Sequence, residues 1–234
     1  RDRKDMDIGF LYRTSFIDYP GKICAVAFTT GCTFRCPYCH NPELVDGSLP
    51  PGMFPEEEVL SFLAGRRGKL DALSITGGEP CLQPDLASFM KKVRDLGFLL
   101  KLDTNGSRPE ALAQVIDRGL ADYIAMDVKA PLEKYPLVSR TGSWEREIPA
   151  SIALVMGSGV PYEFRTTLVE GLLEPEDVRE IGKMIRGAQR YVLQRFVPSK
   201  PLDPSYAGAK TFGESQIASL LEDLRGVVGY CSAR

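Results

Sequence analysis

"TTGCTFRCPYCHNP", residues 29–42, places Cys32, Cys36 and Cys39 within eight positions, in a C-x3-C-x2-C run that also holds an aromatic, a proline and His40, the only histidine. Thiolates are soft ligands suited to zinc, copper(I) or iron–sulfur clusters. A structural zinc site closes with four ligands, often as two C-x2-C pairs, and the chain has no second pair. His40 would have to distort the loop to share one tetrahedral ion with its neighbour Cys39. A cubane cluster has four irons, so three cysteines leave one iron open to an exchangeable ligand. The count of three favours the cluster.

Outward from this run, short aliphatic and β-branched segments alternate with amphipathic ones. Strands are predicted at "KICAVAFTT" (22–30), "ALSIT" (72–76), "FLLKLDTNG" (98–106), "DYIAMDVK" (122–129), "PYEFRTTLV" (161–169) and "RYVLQRFV" (190–197). Helices are predicted at 55–64, 84–96, 109–118, 147–158, 174–187 and 213–225. In the second of these Leu86, Phe89, Met90 and Val93 recur at three- and four-residue steps, the period that lines one buried face. Pro55, Pro84, Pro109 and Pro175 stand near helix starts, where a missing N–H costs nothing. Six strands alternating with helices imply right-handed βαβ units and a parallel sheet. In such folds ligands sit at the carboxyl ends of the strands. The unusual residues are there: the cysteines after the first strand, "GGEP" after the second, "DTNG" after the third and "MDVK" after the fourth.

Composition narrows the class. With 44% apolar and 26% charged residues in 234 positions, a sizeable core and a wet surface are both expected. No composition break or linker appears, so the chain reads as a single domain over 1–234, with its core at 10–200 and the charged residues 1–8 expected to be disordered. A net charge of −2 with dispersed Lys and Arg argues against a nucleic-acid groove. No apolar run approaches the roughly 20 residues that span a bilayer. A reducing cytoplasm is the expected location, and six cysteines there read as metal or redox chemistry before disulfides.

C-x3-C-x2-C with an aromatic before the last cysteine, followed by "GGEP" and "DTNG" at strand ends, resembles the radical S-adenosylmethionine (SAM) superfamily over roughly Tyr12 to Pro198. More narrowly, "SFIDYPGKICAVAFTTGCTFRCPYCHNPELV" (15–45) is similar to activating enzymes of glycyl radical enzymes. It is nearest to the compact group labelled anaerobic ribonucleoside-triphosphate reductase activating proteins, and then to the pyruvate formate-lyase activase. The resemblance implies a partial (β/α)6 TIM-like barrel, an α/β fold with outer helices. It implies one [4Fe–4S] cluster on Cys32, Cys36 and Cys39 whose open iron chelates SAM. Reductive cleavage to methionine and a 5′-deoxyadenosyl radical would follow, and abstraction of a glycine hydrogen from a partner glycyl radical enzyme. A low-potential electron donor of the flavodoxin or ferredoxin class is implied, and no nucleic acid or membrane partner.

By the same likeness Gly77, Gly78, Glu79 and Pro80 meet the SAM amino group and Tyr38 lies by the adenine. Asp103, Thr104 and Asn105 stand at the third strand tip, and Arg165 lies near the SAM carboxylate. Asp103, Thr104 and Asp127, with the carbonyl of Ala125, match a Na+ or K+ site, and Asp18 and Lys129 face the substrate. Bland readings stand beside these. Gly77–Pro80 alone is a turn, Asp103 with Asn105 an Asx-turn or helix cap, and Asp127 with Lys129 a simple ion pair. Arg165 is then a surface strand residue and His40 a loop-ordering hydrogen bonder. Cys24, Cys81 and Cys231 lack the spacing for a second cluster, and packing is the expected role of Cys81. The segment 129–147, with Trp144, is expected either to face the partner or to cap the barrel. Two rival functions are a radical SAM enzyme acting on a small molecule, of deazaguanine-synthase type, and a metal-bearing binding module without turnover.

Overall fold

The computed structural model describes residues 6–45, 49 and 53–234. Of the eight opening residues expected to be disordered, the first five lie outside the described residues. Met6 and Ile8 are buried and Ile8 begins a strand, so order starts earlier than the charged opening suggests. By compactness the chain divides into two units. One comprises Arg1–Thr33, Glu43–Thr104 and Glu110–Ile124, the other Phe34–Pro42, Asn105–Pro109 and Ala125–Arg234.

In the first unit β1 (Ile8–Ser15) runs antiparallel to β2 (Cys24–Thr29), which is parallel to β3 (Ala72–Gly77), itself parallel to β4 (Leu99–Thr104). Apart from Pro42 and Pro109, its helices are α1 (Pro42–Val45), α2 (Glu56–Ala64), α3 (Leu86–Asp95) and α4 (Pro109–Asp117). Leu86, Phe89, Met90 and Val93 of α3 are all buried, each contributing about 1.5–3 kcal/mol relative to exposure. Register aligns Val26 with Ser74 and Ser74 with Lys101, and Ala27 with Ile75 and Ile75 with Leu102. Because side chains alternate between faces, one face of this sheet is apolar, with Leu73, Ile75, Leu100 and Leu102 fully buried. The other carries Ser74, Thr76, Lys101 and Asp103.

β5 (Tyr123–Asp127) begins in the first unit and ends in the second. Within the second unit β6 (Tyr162–Leu168), β7 (Tyr191–Arg195) and β8 (Cys231–Ala233) pair in parallel. Its helices are α5 (Tyr135–Ser139), α6 (Glu147–Gly157), α7 (Pro175–Met184) and α8 (Glu214–Asp223). Pro175 opens α7, and the Glu174 N–H just before it donates to Asp177 Oδ2 at 2.7 Å, an N-terminal cap.

The six expected strands and six expected helices are all present, each within three residues of its predicted bounds. Parallel strands alternating with helices make this the expected α/β class. The edge strand β1 and the three-residue β8 are additional. β1 goes from buried to exposed along its length without a two-residue alternation, so it carries no strand signature. β8 is too short to carry one and exists through its pairing with β7. No helix among the described residues is long and apolar enough to cross a membrane.

Candidate active site

In the first unit, β2 ends in Thr29, Thr30 and Gly31 and delivers Cys32. The "GGEP" turn is laid directly on this strand end. Gly78 N–H donates to the Thr29 carbonyl at 2.9 Å and Glu79 N–H to the Gly31 carbonyl at 2.8 Å. A Cβ at Gly78 would lie 1.9 Å from the Gly31 oxygen, and one at Gly77, where φ is +120°, 2.3 Å from the Thr29 nitrogen. The glycines therefore permit a backbone-to-backbone approach.

Glu79 is fully buried. Its Oε1 accepts from Cys81 N–H at 2.9 Å and from the Thr104 hydroxyl at 2.8 Å, capping the turn Pro80–Leu82 and tying it to the end of β4. Burial, then the Glu79 charge, pushes the Cys81 thiol well above its ordinary value, and Cys81 packs as expected. Gln83, which sequence reasoning passed over, donates from Nε2 to the Thr30 carbonyl at 2.7 Å. Asp103 forms an ion pair with Lys101, whose side chain is only 4% exposed. Asp18 accepts a hydrogen bond from the Ser15 hydroxyl within its own loop.

In the second unit the rest of the cysteine loop is clamped from two sides. Cys39 N–H donates to the Cys36 carbonyl at 3.0 Å, the turn that "CPYC" forms. Arg35 N–H donates to the Ser139 carbonyl at the end of α5 at 2.7 Å. From the segment after β7, Leu202 N–H donates to the Cys39 carbonyl (3.1 Å) and Asp203 N–H to that of Pro37 (2.9 Å). Asp203 is itself held by Arg140 at 2.7 Å. Nothing in the local sequence of 199–208 signals this clamp, which depends on residues more than 160 positions apart. His40 Nδ1 lies 3.3 Å from Ser199 Oγ and its ring beside Phe196, so it orders the loop. Burial, then Lys129, lowers its pKa.

Tyr38 is buried, its ring edge-on to Phe196, and its hydroxyl has no hydrogen-bond partner among the described residues. Burial holds that phenol well above its ordinary value. Asp127 accepts from Arg165 Nε at 2.7 Å and from Lys129 Nζ at 2.8 Å, so the pairing read from spacing extends to Arg165. Arg165 is buried, not a surface residue. Burial alone would raise the Asp127 carboxyl, but Arg165 and Lys129 hold it well below the usual range. Burial would lower the Lys129 ammonium, but Asp127 pushes it well above. Arg165 and Lys129 thus bring two cationic groups to one carboxylate in the second unit. Asn105 accepts from Ser107 N–H at 2.9 Å, an Asx-turn and one of the two bland readings of this segment. Trp144 packs edge-on against Phe34 of the cysteine loop and donates from Nε1 to the Thr141 hydroxyl at 3.2 Å.

The donor set fits a cluster and SAM. None of the six cysteines is in a disulfide. The second unit offers two cationic side chains at Asp127 and a buried Tyr38 hydroxyl without a hydrogen-bond partner among the described residues. Within neither unit do three His, Cys, Asp or Glu side chains among the described residues form a group that could hold one metal ion.

A family model for the radical SAM superfamily matches residues 26–186, and the chain belongs to that superfamily. Within it, the chain is 34% identical over 213 residues to "Putative glycyl-radical enzyme activating enzyme MJ1227" of Methanocaldococcus jannaschii, spanning 88% of this chain and 86% of that protein. It is also 27% identical over 205 residues to the 7-carboxy-7-deazaguanine synthase of Thermococcus kodakarensis, 78% of this chain and 76% of the relative. Among solved structures, Streptococcus suis SuiB bound to S-adenosylmethionine shares the fold, with a TM-score of 0.67 and 11% identity. That alignment covers 87% of this chain and 48% of SuiB.

Proposed function

We propose that this radical SAM enzyme activates a glycyl radical enzyme by removing a hydrogen atom from a glycine Cα of the partner. The observation that carries the reading is the 34% identity, over 88% of the chain, to a relative named for that activity. When bound, the cluster and SAM supply one-electron cleavage of the sulfonium C–S bond to methionine and a 5′-deoxyadenosyl radical. Cys32, Cys36 and Cys39 would hold a single [4Fe–4S] cluster, and a flavodoxin- or ferredoxin-class donor would reduce it.

The chain's own residues orient and enclose. Gly77 to Pro80 and Gln83 fix the strand end that delivers Cys32, and Glu79 locks that turn to Thr104. Arg165 and Lys129, positioned by Asp127, supply positive charge to the SAM carboxylate. Tyr38 offers a buried ring and hydroxyl to the adenosine portion. Asp18 faces the substrate from the β1–β2 loop. A Na+ or K+ ion at Asp103, Thr104 and Asp127 is not part of the proposal. Lys101 already serves Asp103, and Lys129 with Arg165 already serve Asp127, so neither carboxylate lacks a counter-charge.

The test is direct. Anaerobically reconstituted protein with SAM and dithionite should release 5′-deoxyadenosine, and the glycyl radical enzyme encoded in the same genome should gain a protein-based doublet in electron paramagnetic resonance. Brisk SAM cleavage with every such partner left radical-free would transfer the assignment to a small-molecule substrate, the reading that the deazaguanine synthase likeness supports.

A further inference from the structure

Among the described residues, Arg140 and Trp144 are the two that have a positive φ without being glycine, at +53° and +60°. A Cβ makes this left-handed region unfavourable, and large side chains seldom enter it. Both lie in the segment after α5, one of the two that hold the cysteine loop in the second unit. Strain kept twice in one short segment requires contacts that hold it there. For Trp144 these are the ring of Phe34 and the Thr141 hydroxyl. Thr141 in turn donates to Ser139 Oγ from its N–H at 3.3 Å and from its hydroxyl at 3.2 Å. Ser139 is fully buried, and its carbonyl is the one that receives the Arg35 N–H. For Arg140 the contacts come from the segment after β7. Its Nη2 lies 2.7 Å from Asp203 Oδ2, and its guanidinium carbon is 5.9 Å from the centre of the Tyr206 ring.

Asp203 is oriented independently of the arginine. Its Oδ1 accepts from the Ser205 N–H at 3.0 Å and from the Ser205 hydroxyl at 2.7 Å, which turns Oδ2 to the guanidinium. Its own N–H serves the Pro37 carbonyl, and the Leu202 N–H before it serves that of Cys39. Ser139, next to Arg140, holds the loop just before Cys36, and Asp203 holds it just after. The ion pair therefore closes a ring of contacts around the Cys36–Cys39 turn. We propose that Arg140 and Asp203 form a latch that couples the two clamps and sets where the turn presents Cys36 and Cys39. Both are positioning residues, acting through backbone carbonyls and not on any sulfur. Residues that orient metal ligands from behind change metal affinity by about 10–100-fold when replaced. A half-exposed ion pair adds little to global stability. The latch thus gives a reason for an arginine at a helix end where glycine would stand without strain. It rests on the cluster reading and holds whichever substrate the enzyme takes.

Arg140→Gly separates a latch from a mere helix end. Glycine takes the left-handed position freely, so the lost ion pair is offset and Tm should stay close to that of the wild type. In the reconstituted protein, however, iron should pass to a chelator about tenfold faster. Hydrogen exchange, followed by mass spectrometry, should quicken by about fivefold in the peptide that carries the Leu202 and Asp203 amides. The electron paramagnetic resonance lines of the reduced cluster should broaden as the turn samples more positions. Asp203→Asn keeps an acceptor for Ser205 and loses the ion pair, so it should give the same three changes. Joined to Arg140→Gly it should add nothing, because the two single changes remove one contact. Additive effects in the double variant, or unchanged exchange and iron loss in Arg140→Gly, overturn the latch and leave the cluster assignment in place. A wild-type protein that takes up no iron on reconstitution overturns the cluster reading, and the latch with it.

Discussion

Asp127 takes hydrogen bonds from two cations at once, and this decides how the site responds to acid. Its folded pKa lies below the ordinary 3.8, so its contribution to stability is full above about pH 4 and is lost as the pH falls further. Asp127→Asn should lower Tm at neutral pH, by the equivalent of about 2 kcal/mol, because Lys129 and Arg165 lose their shared counter-ion. The same variant should show a shallower decline in Tm between about pH 4 and pH 2 than the wild type. Parallel slopes, measured by calorimetry, would mean that another carboxylate dominates the acid response. At this scale the sequence was informative about pairing but not about depth. Asp127 and Lys129 two apart on a strand already suggest a pair. Arg165 comes from the next strand, 38 residues on, and only folding brings it to Asp127. Glu79 adds a second case: its place after two glycines suggests a ligand contact, and only the folded chain shows that its Oε1 also holds Cys81 and Thr104.

At the level of elements, the cysteine loop derives its shape from what is laid against it. The "GGEP" turn approaches the end of β2 so closely that Gly78 has no room for a methyl group. Gly78→Ala should therefore destabilise the protein by about 3 kcal/mol, or roughly 6–12 °C in Tm, and reduce the iron retained after reconstitution. Gly65→Ala is the control. Gly65 ends α2 at φ −73°, and its nearest neighbour to an added Cβ is 3.6 Å away, so a change within about 0.5 kcal/mol is expected. Equal Tm values for the two variants would show that the turn can slide away from Gly31. Strand and helix positions were legible here because the aliphatic runs are short and punctuated, and because α3 has a strict helical period. β1 and β8 were not, since an edge strand with one exposed end and a three-residue strand have no local signature.

For the whole molecule, the prediction concerns stoichiometry. Protein reconstituted without oxygen should carry about four irons per chain. Alanine at Cys32, Cys36 or Cys39 should abolish them, whereas alanine at Cys24, Cys81 or Cys231 should leave them; iron analysis of the six variants checks this. Full loss on replacing Cys24 or Cys231 would sink the ligand assignment. The sequence by itself determined the class, because C-x3-C-x2-C, "GGEP" and "DTNG" are contiguous runs and a contiguous run is read without knowing the fold. It determined the order of strands and helices for the same reason, since periodicity is local. The tertiary structure alone decided which residues serve those runs. Lys101 and Ser74 meet in register across two parallel strands 27 positions apart, and Leu202 and Asp203 reach the carbonyls of Cys39 and Pro37 from far down the chain. Burial and long-range hydrogen bonds are properties of the folded chain, and no spacing in the linear sequence encodes them.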